Sequence, residues 1–293
     1  METGKRIICD TIASQMTNKE NITTQVVLLT GGSAGIGLEL ALLLMEKGVR
    51  VYSASRRLTT AQKATTGSGE IMPVQMDVNV EADIQTVINR IIEESGRLDA
   101  VICNAGNGIA GSVEDCDDCE TRYQFETNFF GAVKTIQACL PVFRKQGYGK
   151  IMATSSLAAV IPIPYQAFYS AGKAALSIFM QALSIETKSF GIQCCTILPG
   201  DTKTEFTNAR KYTAKSQMEE SPYLQSMKKA VQTMEKDELN GMEAKYVARK
   251  MANQIMRKRM KAIVIPGFNY KLIYSIYNLL PLRLRLWVIS KIY

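Results

Sequence analysis

The chain has 293 residues, 46% of them apolar, enough to fill the core of one large α/β domain, and carries a formal charge of +8. It contains no histidine. That excludes Ser-His-Asp hydrolysis, histidine-held zinc and histidine general bases, and leaves acid–base chemistry near neutral pH to a carboxylate or to a Lys, Tyr or Cys with a displaced pKa.

Residues 1–24 are polar and lack periodicity, and are expected as a loose extension without a secretory leader. Residues 25–30 (QVVLLT) form a short apolar run that reads as a buried strand. A helix is expected from Gly35 to about Lys47, then further strands at 49–55, 71–76 and 98–103. Helical stretches separate them at about 61–65 and 81–95, and a long one follows near 119–145. Strands at 150–154, 193–198 and 262–265 complete a set of about seven. Strands alternating with helices predict a single-domain α/β fold over 25–268, a doubly wound parallel sheet with helices on both faces. Seven cysteines, an odd number, read as reduced thiols of a cytoplasmic protein. Cys116 and Cys119 form a lone CxxC beside acids and without histidine, a weak zinc signal, so no metal is expected. Cys194 and Cys195 read as small core residues.

The first strand runs directly into TGGSAGIG, 30–37, and then into a helix. Glycines at 31, 35 and 37 let the backbone turn tightly and approach a pyrophosphate. The free amides and dipole of the following helix would face that anion. Ser33 and Ile36 lie within the same loop. A glycine-rich turn without a ligand is the competing reading. At the end of the second strand stand Ser55-Arg56-Arg57, where an NAD site usually places an acid. A guanidinium pairs with a 2′-phosphate that a carboxylate would repel, so the cofactor expected is NADP(H), with Arg56 on its phosphate. Solvated surface arginines are the alternative. Asp77 and Val78 close the third strand and Asn104 the fourth, at the sheet edge where open α/β folds bind ligands. Asp77 would reach an adenine amino group, or else cap the next helix.

Tyr169 and Lys173 are four residues apart, one turn apart on a helix face. A phenol with a pKa near ~10 is a poor base, and a neighbouring ammonium favours its phenolate. Such a pair gives a chain without histidine a route to proton transfer. These motifs together resemble the short-chain dehydrogenase/reductase family over about 25–265: TGGSAGIG, CNAG at 103–106, Asn128 in ETNFFGA, Ser156 thirteen residues before Tyr169, YSAGK at 169–173 and PGDTKT at 199–204. Cys103 stands where the family usually has Asn, and YSAGK replaces YSASK. The resemblance implies a Rossmann-like fold and NADP(H)-dependent interconversion of a carbonyl and an alcohol. It implies that Tyr169 donates or removes the proton, that Lys173 binds the nicotinamide ribose and tunes Tyr169, that Ser156 bonds the substrate oxygen and that Asn128 orders a helix and a water. Thr204 and the Pro199-Gly200 turn would contact the carboxamide. The family often forms homo-oligomers.

Residues 205–240 correspond to the family's variable lid. Phe206, Tyr212, Met218, Tyr223, Leu224 and Met227 there point to a hydrophobic substrate such as a steroid, retinoid or acyl lipid, or else pack the lid on the body. From 241 to 293 there are 11 Lys/Arg against the single acid Glu243, whereas the rest of the chain is nearly neutral. In 269–293 these charges interleave with aromatic and aliphatic residues around Pro281. That pattern suits peripheral contact with an anionic membrane rather than nucleic acid, or a helix over the substrate entrance or a subunit interface. A non-catalytic NADP(H)-binding regulator, or a membrane-associated interaction protein on the same fold, is the alternative function.

Overall fold

The computed structural model describes residues 24–63 and 67–293. The expected extension at 1–24 therefore lies outside the described residues, apart from Thr24. Seven parallel strands build the sheet: β1 (Val26–Thr30), β2 (Arg50–Ser55), β3 (Glu70–Gln75), β4 (Ala100–Cys103), β5 (Gly149–Thr154), β6 (Ile192–Ile197) and β7 (Ile263–Val264). Their spatial order is β7-β6-β5-β4-β1-β2-β3, with Gln62–Lys63 added antiparallel at the β3 edge. That last pair is a correction. Where a helix is expected at about 61–65, Gln62–Lys63 is extended and pairs back on β3, because so short a stretch cannot sustain a helix without packing; residues 64 and 65 lie outside the described residues.

The strands read as apolar runs because both faces are covered. In β1, Val26 and Leu28 face one core, and Val27 and Leu29 face the other. The first core is closed by α2 (Glu81–Ser95), α4 (Gly131–Gln146) and α5 (Ala167–Glu186), through Ile88, Phe143 and Met180 among others. The second is closed by α1 (Gly35–Glu46) and α7 (Ala244–Ile255), through Leu40, Leu44 and Met251. Cys194 and Cys195 take opposite faces of β6, both buried. The long helix expected near 119–145 is three pieces: α3 (Asp118–Phe125), a π-helical turn at Glu126–Phe130, and α4.

After β3 the chain returns to place β4 on the other side of β1, in register Thr30 with Cys103. The strand order reverses there, which opens a crevice at the carboxyl ends of β1 and β4. Beyond β6, the Thr202–Lys203 and Met242–Glu243 pairs bracket α6 (Leu224–Leu239), and Lys211–Tyr212 pairs with Ile109–Ala110. Leu224, Met227, Val231 and Met234 pack on Ala110, Ile163 and Tyr165. Part of the apolar content of 205–240 is thus spent on holding this segment to the body. The tail forms α8 (Phe268–Leu279) and α9 (Leu282–Ile292), divided at Pro281.

Candidate active site

The crevice is shaped by what its glycines allow. Gly31 has φ +68°, and a Cβ there would lie 2.8 Å from the Ala105 Cα. A Cβ on Gly37 would strike the Gly31 carbonyl and approach the Asn104 amide nitrogen to 2.7 Å. One on Gly35 would sit 3.3 Å from the Thr204 side chain. Gly31, Gly35, Gly37, Asn104 and Thr204 are therefore in one place. Asn104 is held from three sides. Its Nδ2 donates to the Gly31 carbonyl at 3.1 Å, its backbone N–H donates to Thr30 Oγ1 at 3.0 Å, and its Oδ1 accepts from Thr154 Oγ1 at 3.1 Å. Helix α1 begins at this turn with Ala34 as N-cap and no side-chain cap. Its first-turn amides are open to an anion. Ser33 and Ile36 are half-buried on the same turn, Ile36 resting on the second core.

Arg56 is exposed at the end of β2, and among the described residues its guanidinium has no ion-pair partner. Gln75 Nε2 donates to its backbone carbonyl at 3.4 Å. Asp77 Oδ1 accepts from the Asn79 N–H at 3.0 Å, so its side chain shapes the turn before α2 rather than capping the helix, whose N-cap is Val80. Val78 is buried against Gly131, where a Cβ would meet it at 2.7 Å.

Tyr169 and Lys173 lie one turn apart on α5. Lys173 is 4% exposed and donates from Nζ to the Thr154 carbonyl at 2.9 Å, with Nζ 5.7 Å from the Tyr169 ring centroid. Ser156 follows β5. Its hydroxyl accepts from the Ala158 N–H at 3.1 Å and hydrogen-bonds the Tyr169 hydroxyl. Ser155 turns the other way: its hydroxyl donates to the Lys173 carbonyl and accepts from Ser177, both at 2.8 Å. Adjacent serines thus separate into one at the phenol and one bracing the helix. Asn128 sits in the π-helical turn, 1% exposed. Its Nδ2 donates to the Gln124 carbonyl at 3.0 Å and the Asn107 carbonyl at 2.9 Å, and its Oδ1 accepts from the Asn107 N–H at 3.3 Å. In this widened turn the Gly131 N–H reaches back to the Glu126 carbonyl, and the Asn128 amide ties the turn to the Gln124 carbonyl. A Cβ on Gly106 would fall 2.8 Å from Asn128 Oδ1 and 3.5 Å from Lys173 Nζ, so these two side chains converge on that glycine.

Residues 25–215 match the family model described as short chain dehydrogenase. The chain belongs to this family. It is 36% identical over 234 residues to a 3-ketodihydrosphingosine reductase of Bacteroides thetaiotaomicron, a match covering 80% of this chain and 84% of that one. It is 32% identical over 256 residues to a probable short-chain type dehydrogenase/reductase of Helicobacter pylori, covering 87% and 93%. A solved short-chain dehydrogenase from Streptomyces avermitilis superimposes with a TM-score of 0.74 at 23% identity, over 88% and 93% of the two chains, and shows the shared fold.

Electrostatics in this short-chain dehydrogenase differ from the simple expectation for a Tyr–Lys pair. Burial pushes the Tyr169 phenol up to about 12, against the lowering effect of the Ser156 hydrogen bond. Burial pushes Lys173 down to about 8. The ammonium is engaged by the Thr154 carbonyl, and it does not by itself bring the phenol into the neutral range. Three side chains of the 205–240 segment also bear on the phenol. The Phe206 ring lies 5.9 Å from the Tyr169 ring, and a Cβ on Gly108 would meet it at 2.9 Å. Arg210, its side chain wholly buried, is paired with Glu238, which also accepts from Thr207 Oγ1 at 2.7 Å. Both charges act on the phenol, Glu238 raising and Arg210 lowering its pKa. Phe206 was legible as an apolar residue after PGDTKT. Nothing in the sequence joins Arg210 to Glu238, because their meeting depends on how α6 folds back. Among the described residues no cluster is suited to a metal ion.

Proposed function

We propose that this oxidoreductase reduces the ketone or aldehyde of a hydrophobic substrate with NADPH, Tyr169 giving its proton to the carbonyl oxygen. The observation that carries this reading is the meeting of the half-buried Tyr169 and Ser156 with the buried Lys173, next to the glycine turn that opens α1. The turn fits a dinucleotide: without a Cβ, Gly31 and Gly37 let it fold tightly against Ala105 and Asn104, and the open amides at the start of α1 would face a pyrophosphate. Asn104, Thr204 and Lys173 would hold the nicotinamide half, Arg56 the 2′-phosphate, and Asp77 with Val78 the adenine. When bound, a nicotinamide cofactor supplies the hydride and, once oxidised, a positive charge.

The chain's own part is proton delivery and orientation. At neutral pH a phenol near 12 is protonated, which is the form that reduction needs. Ser156 is placed to donate to the same oxygen and stabilise charge as it develops there. Asn128 keeps α3 and α4 in the bent geometry that sets its amide beside Lys173. The Phe206 ring lies against the Tyr169 ring, 5.9 Å between centroids. A relative acting on 3-ketodihydrosphingosine supports a lipid ketone within the class of steroid, retinoid and acyl-lipid substrates.

Cofactor oxidation by the full chain tests the reading, with NADPH and NADH compared against steroid, retinoid, acyl-lipid and small polar ketones. Consumption of NADPH with a hydrophobic ketone supports it; cofactor binding without turnover of any ketone counts against it. The pH dependence adds a sharper expectation. Lys173 is charged below about 8 and neutral above it, whereas the phenol keeps its proton to about 12. kcat/KM for reduction should therefore fall as pH rises through about 8, and Lys173→Met should be slower and lack that limb. A limb at the same pH in Lys173→Met would remove Lys173 as its source. Gly37→Ala tests the cradle. Overpacking of about 1–3 kcal/mol should weaken NADPH binding roughly ten- to hundredfold, read from NADPH-dependent thermal stabilisation; an unchanged shift would contradict the placement.

A further inference from the structure

The tail carries two kinds of apolar residue. Tyr277 and Ile289 are buried, and Tyr293 packs on the apolar cluster that holds α6 to the body. Tyr270 donates from its hydroxyl to Asp201 Oδ2 at 3.1 Å, and its ring fills the space beside Gly200. Arg285 ties the two helices together, lying 5.0 Å from the Tyr277 ring centroid and donating to the Leu280 and Asn278 carbonyls at 2.6 and 2.7 Å. The pair α8–α9 is thus an ordered part of the molecule, fastened at both ends next to the 205–240 segment.

Its outer side is different. Phe268, Leu272, Ile276 and Leu279 repeat at helical spacing on the face of α8 opposite Tyr270 and Tyr277, and Phe268 and Leu279 are 77% and 84% exposed. On α9, Trp287 is exposed away from the buried Ile289, and Leu282 and Leu286 are exposed on the side of Ile289. So many large apolar residues left exposed on two successive helices mark an interaction site rather than chance exposure. The charge that the two helices themselves carry is of one sign: Lys271, Arg283 and Lys291 are exposed, and no acid occurs after Glu243, whereas Asp201 and Asp237 lie on the inner side near Tyr270. A protein partner would match that pattern only with its own acidic rim around an apolar groove. An anionic bilayer supplies both features at every point of its surface. The helices, of 12 and 11 residues, are too short to cross a bilayer, which needs about 20; among the described residues no helix is long and apolar enough to do so.

We propose that α8–α9 docks in the interface of an anionic lipid bilayer, with Phe268, Leu272, Ile276, Leu279 and Trp287 entering the boundary of the acyl chains and Lys271, Arg283 and Lys291 meeting the lipid phosphates. The proposal does not depend on the reaction, and its test does not use turnover to judge binding. Trp287 is the only tryptophan of the chain and is 58% exposed, so its emission reports this surface alone.

The full chain would be titrated with vesicles of phosphatidylglycerol and of phosphatidylcholine, following Trp287 emission and co-sedimentation. The expected result is a blue shift and sedimentation with phosphatidylglycerol, weakened by salt and weaker by roughly tenfold or more on phosphatidylcholine. Leu272→Glu/Leu279→Glu should abolish both signals, and Lys271→Gln/Arg283→Gln should weaken them roughly tenfold or more. These residues face solvent, so both variants should keep the far-UV spectrum of the parent and its turnover of a water-soluble ketone. Failure of the parent chain to bind phosphatidylglycerol overturns the proposal. So does a Trp287 shift that tracks protein concentration without lipid and accompanies a doubled mass, because a second copy would then be the occupant.

Discussion

Tyr169→Phe should lower turnover by roughly 10²–10⁴-fold, the range lost with a positioned general acid, while leaving fold and cofactor affinity close to the parent. The substitution removes one oxygen. The ring keeps its contact with Phe206, 5.9 Å away, and its place on α5. What disappears is the hydroxyl that bonds Ser156 and carries the proton. Lys173 retains its bond to the Thr154 carbonyl, so the nicotinamide half of the crevice stays intact. Ser155→Ala supplies the contrast. Ser155 braces the Lys173 backbone and meets Ser177, away from the phenol. Its loss should act mainly on stability, by about 1 kcal/mol for the lost hydrogen bond. Steady-state rates of both variants, read with thermal unfolding, would separate chemistry from bracing. Equal activity in Tyr169→Phe and the parent would remove Tyr169 from the reaction.

Arg56→Asp should turn the cofactor preference from NADPH toward NADH. A hydrogen bond to a charged group contributes roughly 1.5–3 kcal/mol, so losing it alone weakens NADPH by about ten- to hundredfold; the new carboxylate repels the 2′-phosphate and can accept from the ribose hydroxyls of NADH. Arg56 is exposed and, among the described residues, holds no acid of the protein, so the change leaves no buried charge behind. Dissociation constants for both cofactors, measured at two ionic strengths, give the direct reading. The NADPH affinity of the parent should fall with salt, and that of Arg56→Asp should fall less. A preference unchanged by the substitution would assign these arginines to the solvated surface.

The sheet was legible in the sequence because its central parallel strands are buried on both faces and show as apolar runs. The β1 pattern, Val26 and Leu28 to one core and Val27 and Leu29 to the other, is the structural form of that signal. The segment at 61–65 was not legible, since five residues carry no period to separate helix from strand. The break at Asn128 was equally hidden: a π-helical turn within a helical stretch leaves no clear mark in apolar spacing, and the Asn128 amide bond to the Gln124 carbonyl is seen only in the structure. The Tyr169–Lys173 pair was visible because it is local to one helix. The Gly35–Thr204 approach was reachable only through family motifs, and the Arg210–Glu238 pair was beyond both. Burial, which no local sequence pattern reveals, raises the Tyr169 phenol, and the Lys173 ammonium, 5.7 Å from the ring centroid, is turned to the Thr154 carbonyl.

The central claim is that this chain reduces a hydrophobic carbonyl with Tyr169 as proton donor. Its most direct test is stoichiometry: NADPH consumed against alcohol formed from a long-chain lipid ketone, in the parent and in Tyr169→Phe. One alcohol per NADPH in the parent, with both quantities falling together in the variant while NADPH still binds, is the result expected. NADPH consumed without alcohol formed, or alcohol formed equally well by Tyr169→Phe, would contradict it.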